Sequence, residues 1–137
     1  MSKRNNKMLD VLDEKFANYY KYNREIAIRK EELKMNEADE NFGGGRSNIV
    51  NKTIENQVVK EMSDPYIYNR ELWKKAIRET LEEQSKEVRE LIEEKYWGPH
   101  SWMSWSDYAI EKNYSAASMY RMRQKVLMEF GRKIGEI

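Results

Sequence analysis

One face of the helix predicted at 115–130 carries small, hydroxyl and cationic side chains. Alanines in the first turn leave room for close approach of a second molecule, and arginine and glutamine beyond them can hydrogen-bond the edges of nucleic-acid bases. Lysine and arginine can also pair with phosphates. The pattern therefore predicts a DNA-contacting surface made of Ser115, Ala116, Ala117, Ser118, Tyr120, Arg121, Arg123, Gln124 and Lys125.

Catalytic chemistry has little support in the sequence. The one histidine, His100, is placed in a predicted loop between aromatic residues and has no obvious nucleophilic partner. The carboxylates of residues 79–94 have the spacing of a solvated helix face, with pairs at ion-pair separation. There are no cysteines, which excludes disulfides and thiolate metal sites. We expect no catalytic residues, no metal site and no cofactor.

Two short helices must position the predicted DNA face. Ser104 is a suitable N-cap for the first helix, predicted at 105–112, and Asp107 stands three residues on, close to a capping box. Asn113 readily adopts the left-handed backbone that a tight turn between helices needs. Ser115 is a second N-cap. This order predicts a helix-turn-helix.

Packing in this helix-turn-helix, residues 104–130, requires a small residue inside the first helix, and Ala109 supplies it. The second helix is predicted to end at Phe130, before Gly131. For any single residue a solvated surface or a core position is the simpler interpretation, but the combination favours the motif. The apolar residues expected to face one another are Tyr108, Tyr114, Met119, Met122 and Val126.

The rest of the chain has helical periodicity, few glycines and only two prolines. It predicts a long helix at 7–35, a loop at 36–48, which contains glycines 43–45, and a helix at 49–62. The glycines favour a flexible connector over a phosphate-binding loop, because Arg46-Ser47 does not match the required Lys-Ser/Thr pair and spacing.

Ser63-Asp64-Pro65 predicts a break followed by a helical region at 66–97, with a joint at 82–85 and an end at Gly98. We therefore expect an all-α fold, a helical bundle with extended N-terminal helices. Its N-terminal helical region would cover 1–62, and a C-terminal helical DNA-binding domain would cover 63–137.

Charge is segregated along the chain although the formal net charge is only +1. Residues 79–94 hold seven acidic and two basic side chains, whereas 114–137 hold five basic and two acidic. A basic C-terminal end favours phosphate binding, because this binding depends on the local electrostatic field and not on the net charge of the chain. No stretch has the roughly 20 apolar residues needed to span a bilayer, so we expect no membrane association. The absence of cysteine fits a reducing cytosol without requiring it, and we expect a cytoplasmic location.

Several stretches resemble the phage transcriptional regulators of the RinA/ArpU type, which are similar in their C-terminal part to region 4 of bacterial sigma factors. The resemblance covers most of the chain, in order: YYKYNREIAIRKEEL (19–33), DENFGGGRSN (39–48), VRELIEEKYW (88–97), SWSDYAIEKNYS (104–115) and SMYRMRQKVLMEFGRKIGEI (118–137).

The resemblance implies a helical protein of a bacterial host cell that binds DNA and activates phage late genes or host cell-wall genes. It also implies that the second helix of the motif is the recognition helix. Two positions depart from the pattern. Lys112 stands where such motifs usually have an apolar residue, so that Ile110 would have to compensate, and Ala116 stands where relatives often carry a basic residue.

The leading interpretation is a sequence-specific DNA-binding transcriptional regulator with double-stranded DNA as its partner. RNA polymerase is a second expected partner, facing the acidic segment through Glu87, Glu90 and Glu94, and a homodimer is a third. A phage DNA-packaging component similar to a small terminase subunit remains an alternative, and a ring of many copies would favour it. A helical structural protein is the other alternative, distinguished by the absence of salt-dependent DNA binding.

Overall fold

A computed structural model of the chain describes residues 3–40 and 47–137, and the side chains of 6–36 and 54–137. Within these ranges there are helices and no strands, which confirms the predicted all-α fold. None of the described helices combines the length and apolar character needed to cross a bilayer. The helices are α1 (Lys3–Ala17), a 3-10 helix (Tyr19–Lys21), α2 (Tyr22–Glu40), α3 (Ser47–Ser63), α4 (Pro65–Glu82), α5 (Lys86–Trp97), α6 (Trp105–Glu111) and α7 (Ala116–Lys133).

The chain forms two compact units. The terminal unit comprises Met1–Tyr19 and Trp73–Ile137, and the central unit comprises Tyr20–Leu72. This division differs from the boundary predicted at 62/63, because α1 packs against α5 and α7. The first turns of α4 belong to the central unit and the rest of that helix to the terminal unit.

Apolar faces of α1, α4, α5 and α7 form the core of the terminal unit. Phe16 is fully buried, and its ring lies 5.6 Å from that of Phe130 in an edge-to-face contact and 5.4 Å from that of Trp97 in a stacked one. Such aromatic pairs add to the free energy of burial. Further buried apolar residues of these helices include Leu9, Leu12, Ala76, Ile77, Leu81, Leu91, Ile92, Val126 and Leu127.

In the central unit, α2 packs against α3, and Asp64 connects this pair to the start of α4. Asp64 accepts a hydrogen bond from the Ile67 backbone N–H at 3.1 Å, and Arg29 Nη2 donates to its Oδ1 at 2.9 Å. Pro65 begins α4. The predicted break at 63–65 is confirmed, and of the two possible N-caps, Ser63 and Asp64, it is Asp64 that caps α4.

The helix predicted at 7–35 is wrong as one continuous element. It ends at Ala17, and the 3-10 helix separates α1 from α2. Tyr19 packs on Trp97 in the terminal unit, with ring centroids 5.5 Å apart, whereas Tyr22 is buried and belongs to the central unit. The apolar residues up to Tyr19 therefore pack in the terminal unit and those after it pack in the central unit, and the α-helix is interrupted between them.

The loop predicted at 36–48 is too long at both ends. Helix α2 continues to Glu40 and α3 begins at Ser47, since only the glycines in this stretch are strong helix breakers. Glycines 43–45 themselves lie outside the described residues. By contrast, the joint at 82–85 and the helix end at Gly98 are confirmed, with Ser85 as N-cap of α5 and Gly98 as its C-cap.

Helix α7 continues past the predicted end at Phe130 to Lys133. Gly131 is buried within it, and a Cβ there would lie 3.0 Å from Leu12 Cδ1 and 2.7 Å from Ile137 Cδ1. Gly131 therefore permits close packing against α1 and does not end the helix. Gly135, with a φ of 77°, ends the segment in a Schellman motif, in which Glu136 N–H donates to the Gly131 carbonyl at 2.9 Å.

Candidate nucleic-acid interface

Helix α6 begins as the sequence predicted. Ser104 is extended and its hydroxyl accepts a hydrogen bond from the Asp107 N–H at 3.1 Å, which satisfies one of the free donors of the first turn. Seven residues follow in helical conformation. This cap defines where α6 starts and therefore where the following turn falls.

The turn between α6 and α7 depends on a left-handed residue. Asn113 has a φ of 63°, and its N–H donates to the Ile110 carbonyl at 3.1 Å. The Tyr114 N–H donates to the Ala109 carbonyl at 2.8 Å, so the two bonds together form a Schellman motif. The prediction that Asn113 makes this turn is confirmed.

Tyr114 attaches the turn to α5. Its hydroxyl donates to Glu87, and the contact holds the pKa of the tyrosine above its usual value. Ser115 then caps α7 by accepting from the Ser118 N–H at 3.1 Å. The start of α7 is therefore positioned by a turn, a cap and a tertiary hydrogen bond.

Helices α6 and α7 pack through a small apolar cluster that includes Leu91 of α5. Tyr108, Ala109 and Met119 are buried at its centre, and the Tyr108 hydroxyl donates to the Leu91 carbonyl at 3.0 Å. Burial is the first cause of the raised pKa of Tyr108. Four of the five predicted facing residues are confirmed, because Tyr114 and Met122 also pack on this cluster. Val126 is buried but is not part of the cluster.

Most of the predicted DNA-contacting residues share the outer face of α7. Tyr120 is 41% exposed, and its hydroxyl lies 3.2 Å from the Ser106 hydroxyl of α6. Arg121 is exposed and donates to the Ser118 hydroxyl at 3.2 Å. Ser118 and Gln124 are half-buried at the edge of this face. Its remaining members are all exposed: Ser115, Ala116, Ala117 and Lys125.

The structure separates Arg123 from this face. Its side chain is 14% exposed, and Nε and Nη2 each lie 3.2 Å from Asp13 Oδ1 on α1. The guanidinium also lies 5.8 Å from the ring of Trp105, and Lys95 stacks over the same ring at 4.9 Å. Arg123 therefore joins α7 to the core of the terminal unit.

Lys112 takes an ionic role where an apolar residue was expected. Its ammonium lies 2.9 Å from Glu94 Oε2, and His100 Nδ1 lies 2.5 Å from Glu94 Oε1. The hydrogen bond from Lys112 holds the pKa of the Glu94 carboxyl below its usual value. Ile110 is 75% exposed, so the expectation that it compensates for Lys112 is wrong.

The acidic segment 79–94 is not uniformly solvated. Glu87 accepts from Tyr114, Glu94 pairs with Lys112, and Glu83 lies 2.7 Å from Lys133. Charge reversal at Glu87 or Glu94 would therefore disturb the α6–α7 turn itself. Glu87, Glu90 and Glu93 are the exposed carboxylates of α5, and of these Glu87 contacts Tyr114 of the turn. Sequence reasoning missed the contacts of Glu83, Glu87 and Glu94, because the partners of these residues lie far away in sequence.

The chemistry of this surface is hydrogen bonding and cation pairing. Among the side chains that the structure describes, no three His, Cys, Asp or Glu residues are grouped to hold a metal ion. An arginine, a lysine, a tyrosine and a glutamine share one exposed side of a positioned helix. Such a set can contact phosphates and base edges.

Comparison with known proteins places the chain in a family. No curated protein and no solved structure matches it. The model of one family, described as "Protein of unknown function (DUF722)", matches residues 8–131, which includes parts of both units. The chain belongs to this DUF722 family.

Proposed function

We propose that this chain is a sequence-specific DNA-binding transcriptional regulator in which α7 is the recognition helix. One observation carries the proposal: the first three turns of α7 bury Met119 and Val126 on one side and leave Ala117, Arg121 and Lys125 exposed on the other. A helix that packs against the protein on one side, and exposes cationic and small residues on the other, can enter the major groove.

Five residues of this face have a role that follows from their chemistry. Ala116 and Ala117 let the helix N-terminus approach the groove, Arg121 and Gln124 hydrogen-bond base edges, and Lys125 pairs with a phosphate. Arg123 has no direct role in this arrangement, because Asp13 holds it. The proposed reading set is therefore smaller than the sequence pattern indicates.

Recognition of bases requires that α7 be held rigidly, since a loosely held helix would not keep the orientation that base contacts need. Three features fix the position of α7: the Schellman motif at Asn113, the hydrogen bond from Tyr114 to Glu87, and the buried Tyr108. All three precede the exposed face in sequence and fix its starting point.

The resemblance to RinA/ArpU regulators supports a further step, in which the protein activates phage late genes in a bacterial host. In this proposal RNA polymerase contacts the exposed carboxylates of Glu90 and Glu93, because an acidic surface cannot lie against the duplex. Reversing these two charges should reduce activation and leave DNA affinity unchanged. If DNA affinity falls equally, the acidic surface is not a polymerase contact.

The direct test is footprinting of the purified chain on the DNA that flanks its own gene, followed by a salt titration on the protected duplex. We expect a discrete protected site and an affinity that falls steeply with salt, in proportion to the phosphates contacted. Equal protection of all sequences would remove the sequence-specific part of the proposal. Absence of salt-dependent binding to any duplex would remove the whole of it.

A further inference from the structure

Helix α3 presents its apolar side chains outward. Ile54, Val58 and Met62 recur at every fourth residue and are 58%, 49% and 75% exposed, and Val59 beside them is 63% exposed. Residues four apart lie on one side of a helix. The described part of α3 therefore carries a continuous apolar stripe that is exposed among the described residues.

The inner side of α3 is polar. The half-buried side chains of its described part are Gln57, Lys60 and Glu61. Gln57 Nε2 donates to Glu61 Oε1 at 3.1 Å, whereas Gln57 Oε1 is buried and finds no donor among the described residues. A helix that packs within its own chain normally has the opposite arrangement. The outward apolar stripe is therefore better suited to a second interface than to solvent.

A groove continues this stripe across the central unit. It has a volume of about 380 Å³, and Met62, Ile67 and Tyr68 supply its apolar lining. Ile67 is buried, and Tyr68 is 60% exposed. The charged residues around the groove are of both signs: Lys30, Glu61 and Glu71. We define the α3 patch as Ile54, Val58, Val59, Met62 and Tyr68.

We propose that the α3 patch pairs two copies of this chain. Contiguous exposed apolar surface of this kind marks interaction sites. The charged residues around the groove, which are of both signs, indicate which class of partner fits. A nucleic acid requires a basic surface, and neither phosphate nor lipid headgroups match a rim with two glutamates. A copy of the same surface does match, because a two-fold interface brings each residue of one copy near different residues of the other.

Charge complementarity supports this choice of partner. In a two-fold arrangement Lys30 of one copy can face Glu61 of the other, and the reciprocal pair forms at the same time. The apolar side chains of the α3 patch would then be buried at the centre, with the charges at the rim. This is the usual distribution in a protein–protein interface.

Pairing through α3 does not require DNA. It does have a consequence that rests on the proposed function: a dimer carries two copies of α7 and should protect a site with two-fold symmetry. Failure of DNA binding would leave the dimer intact, and failure of dimerisation would leave a single α7 able to bind a half-site. The two proposals are therefore tested separately.

The first experiment measures the mass of the purified full chain by sedimentation, without DNA. We expect a dimer, and we expect Val58→Glu to raise the dimer dissociation constant by more than about a hundredfold, since two carboxylates would be buried per dimer. Ile28→Glu is the matched control. Ile28 is also 49% exposed in the central unit, but it projects about 200° around α2 from Lys30.

The second experiment uses the absence of cysteine from the chain. Val58→Cys should form an intermolecular disulfide on mild oxidation, whereas Ile28→Cys should not. Circular dichroism should show the same helix content in all four variants, because both positions are exposed. A monomeric wild type, a Val58→Glu variant that stays dimeric, or a ring of many copies would each overturn the proposal.

Discussion

Arg123 of α7 and Asp13 of α1 are joined by two close contacts, with Nε and Nη2 each 3.2 Å from the same carboxylate oxygen. The Tyr96 hydroxyl donates to this oxygen at 2.6 Å. The three side chains connect α1, α5 and α7 within the terminal unit. An arginine that the sequence pattern groups with DNA-binding residues therefore positions the helix that carries them.

Removal of this arginine should affect stability more than DNA contact. Arg123→Ala leaves the Asp13 carboxylate without its guanidinium partner, and the free energy of unfolding should fall by about 1–3 kcal/mol. Chemical denaturation followed by circular dichroism measures this change. Arg121→Ala, which removes an exposed arginine of the same helix, is the control and should leave stability within about 0.5 kcal/mol. Equal stability losses would contradict the assigned positions.

Arg121→Ala should instead change DNA recognition. If Arg121 reads a base, the variant should lose about 1–3 kcal/mol on the preferred duplex and bind other sequences almost as before. Competitive binding at fixed salt measures the ratio. Lys86→Ala removes one exposed positive charge from the start of α5 and is the matched control. A uniform loss on all duplexes would make Arg121 a phosphate contact.

The left-handed backbone at Asn113 predicts a pair of opposite substitutions. Asn113→Gly should preserve or slightly raise stability, because glycine adopts a φ of 63° without a Cβ clash. Asn113→Val should lower stability by about 1–2 kcal/mol and weaken DNA binding, since a β-branched residue resists this conformation. Thermal melts and DNA titrations of the two variants provide the comparison. An equally stable valine variant would show that the turn is not needed.

The contact between Arg29 and Asp64 predicts a pH dependence of stability. Arg29 donates to the carboxylate and holds the pKa of Asp64 below its usual value. A lowered pKa in the folded state means that the contact stabilises the protein above the usual aspartate pKa. This stabilisation is lost as the pH falls through the folded-state pKa.

The wild type should therefore be more stable than Asp64→Asn at pH 7, by about 1–2 kcal/mol. The difference should shrink as the pH falls below the usual aspartate pKa and through the lower pKa of the folded state. Urea denaturation at a series of pH values measures it. Glu32→Gln removes the exposed carboxylate that also contacts Arg29 and is the control, with little expected change. A difference that is constant with pH would exclude the ionised contact as its source.

Local sequence was sufficient for the features that depend on neighbours within one turn. The caps at Ser104 and Ser115, the left-handed Asn113 and the break at Asp64 were all predictable, because a cap or a turn is formed by residues only a few positions apart. The all-α class followed from periodicity and from the scarcity of glycine and proline in the same way.

Tertiary structure decided which chemically similar residues are available. Arg121 and Arg123 are two positions apart and so project about 200° apart on the helix; one faces solvent and the other meets Asp13 of α1, more than a hundred residues earlier. Likewise the membership of α1 in the terminal unit and the burial of Gly131 depend on contacts between distant segments. No local pattern determines them, because the partner surface exists only once the helices have packed.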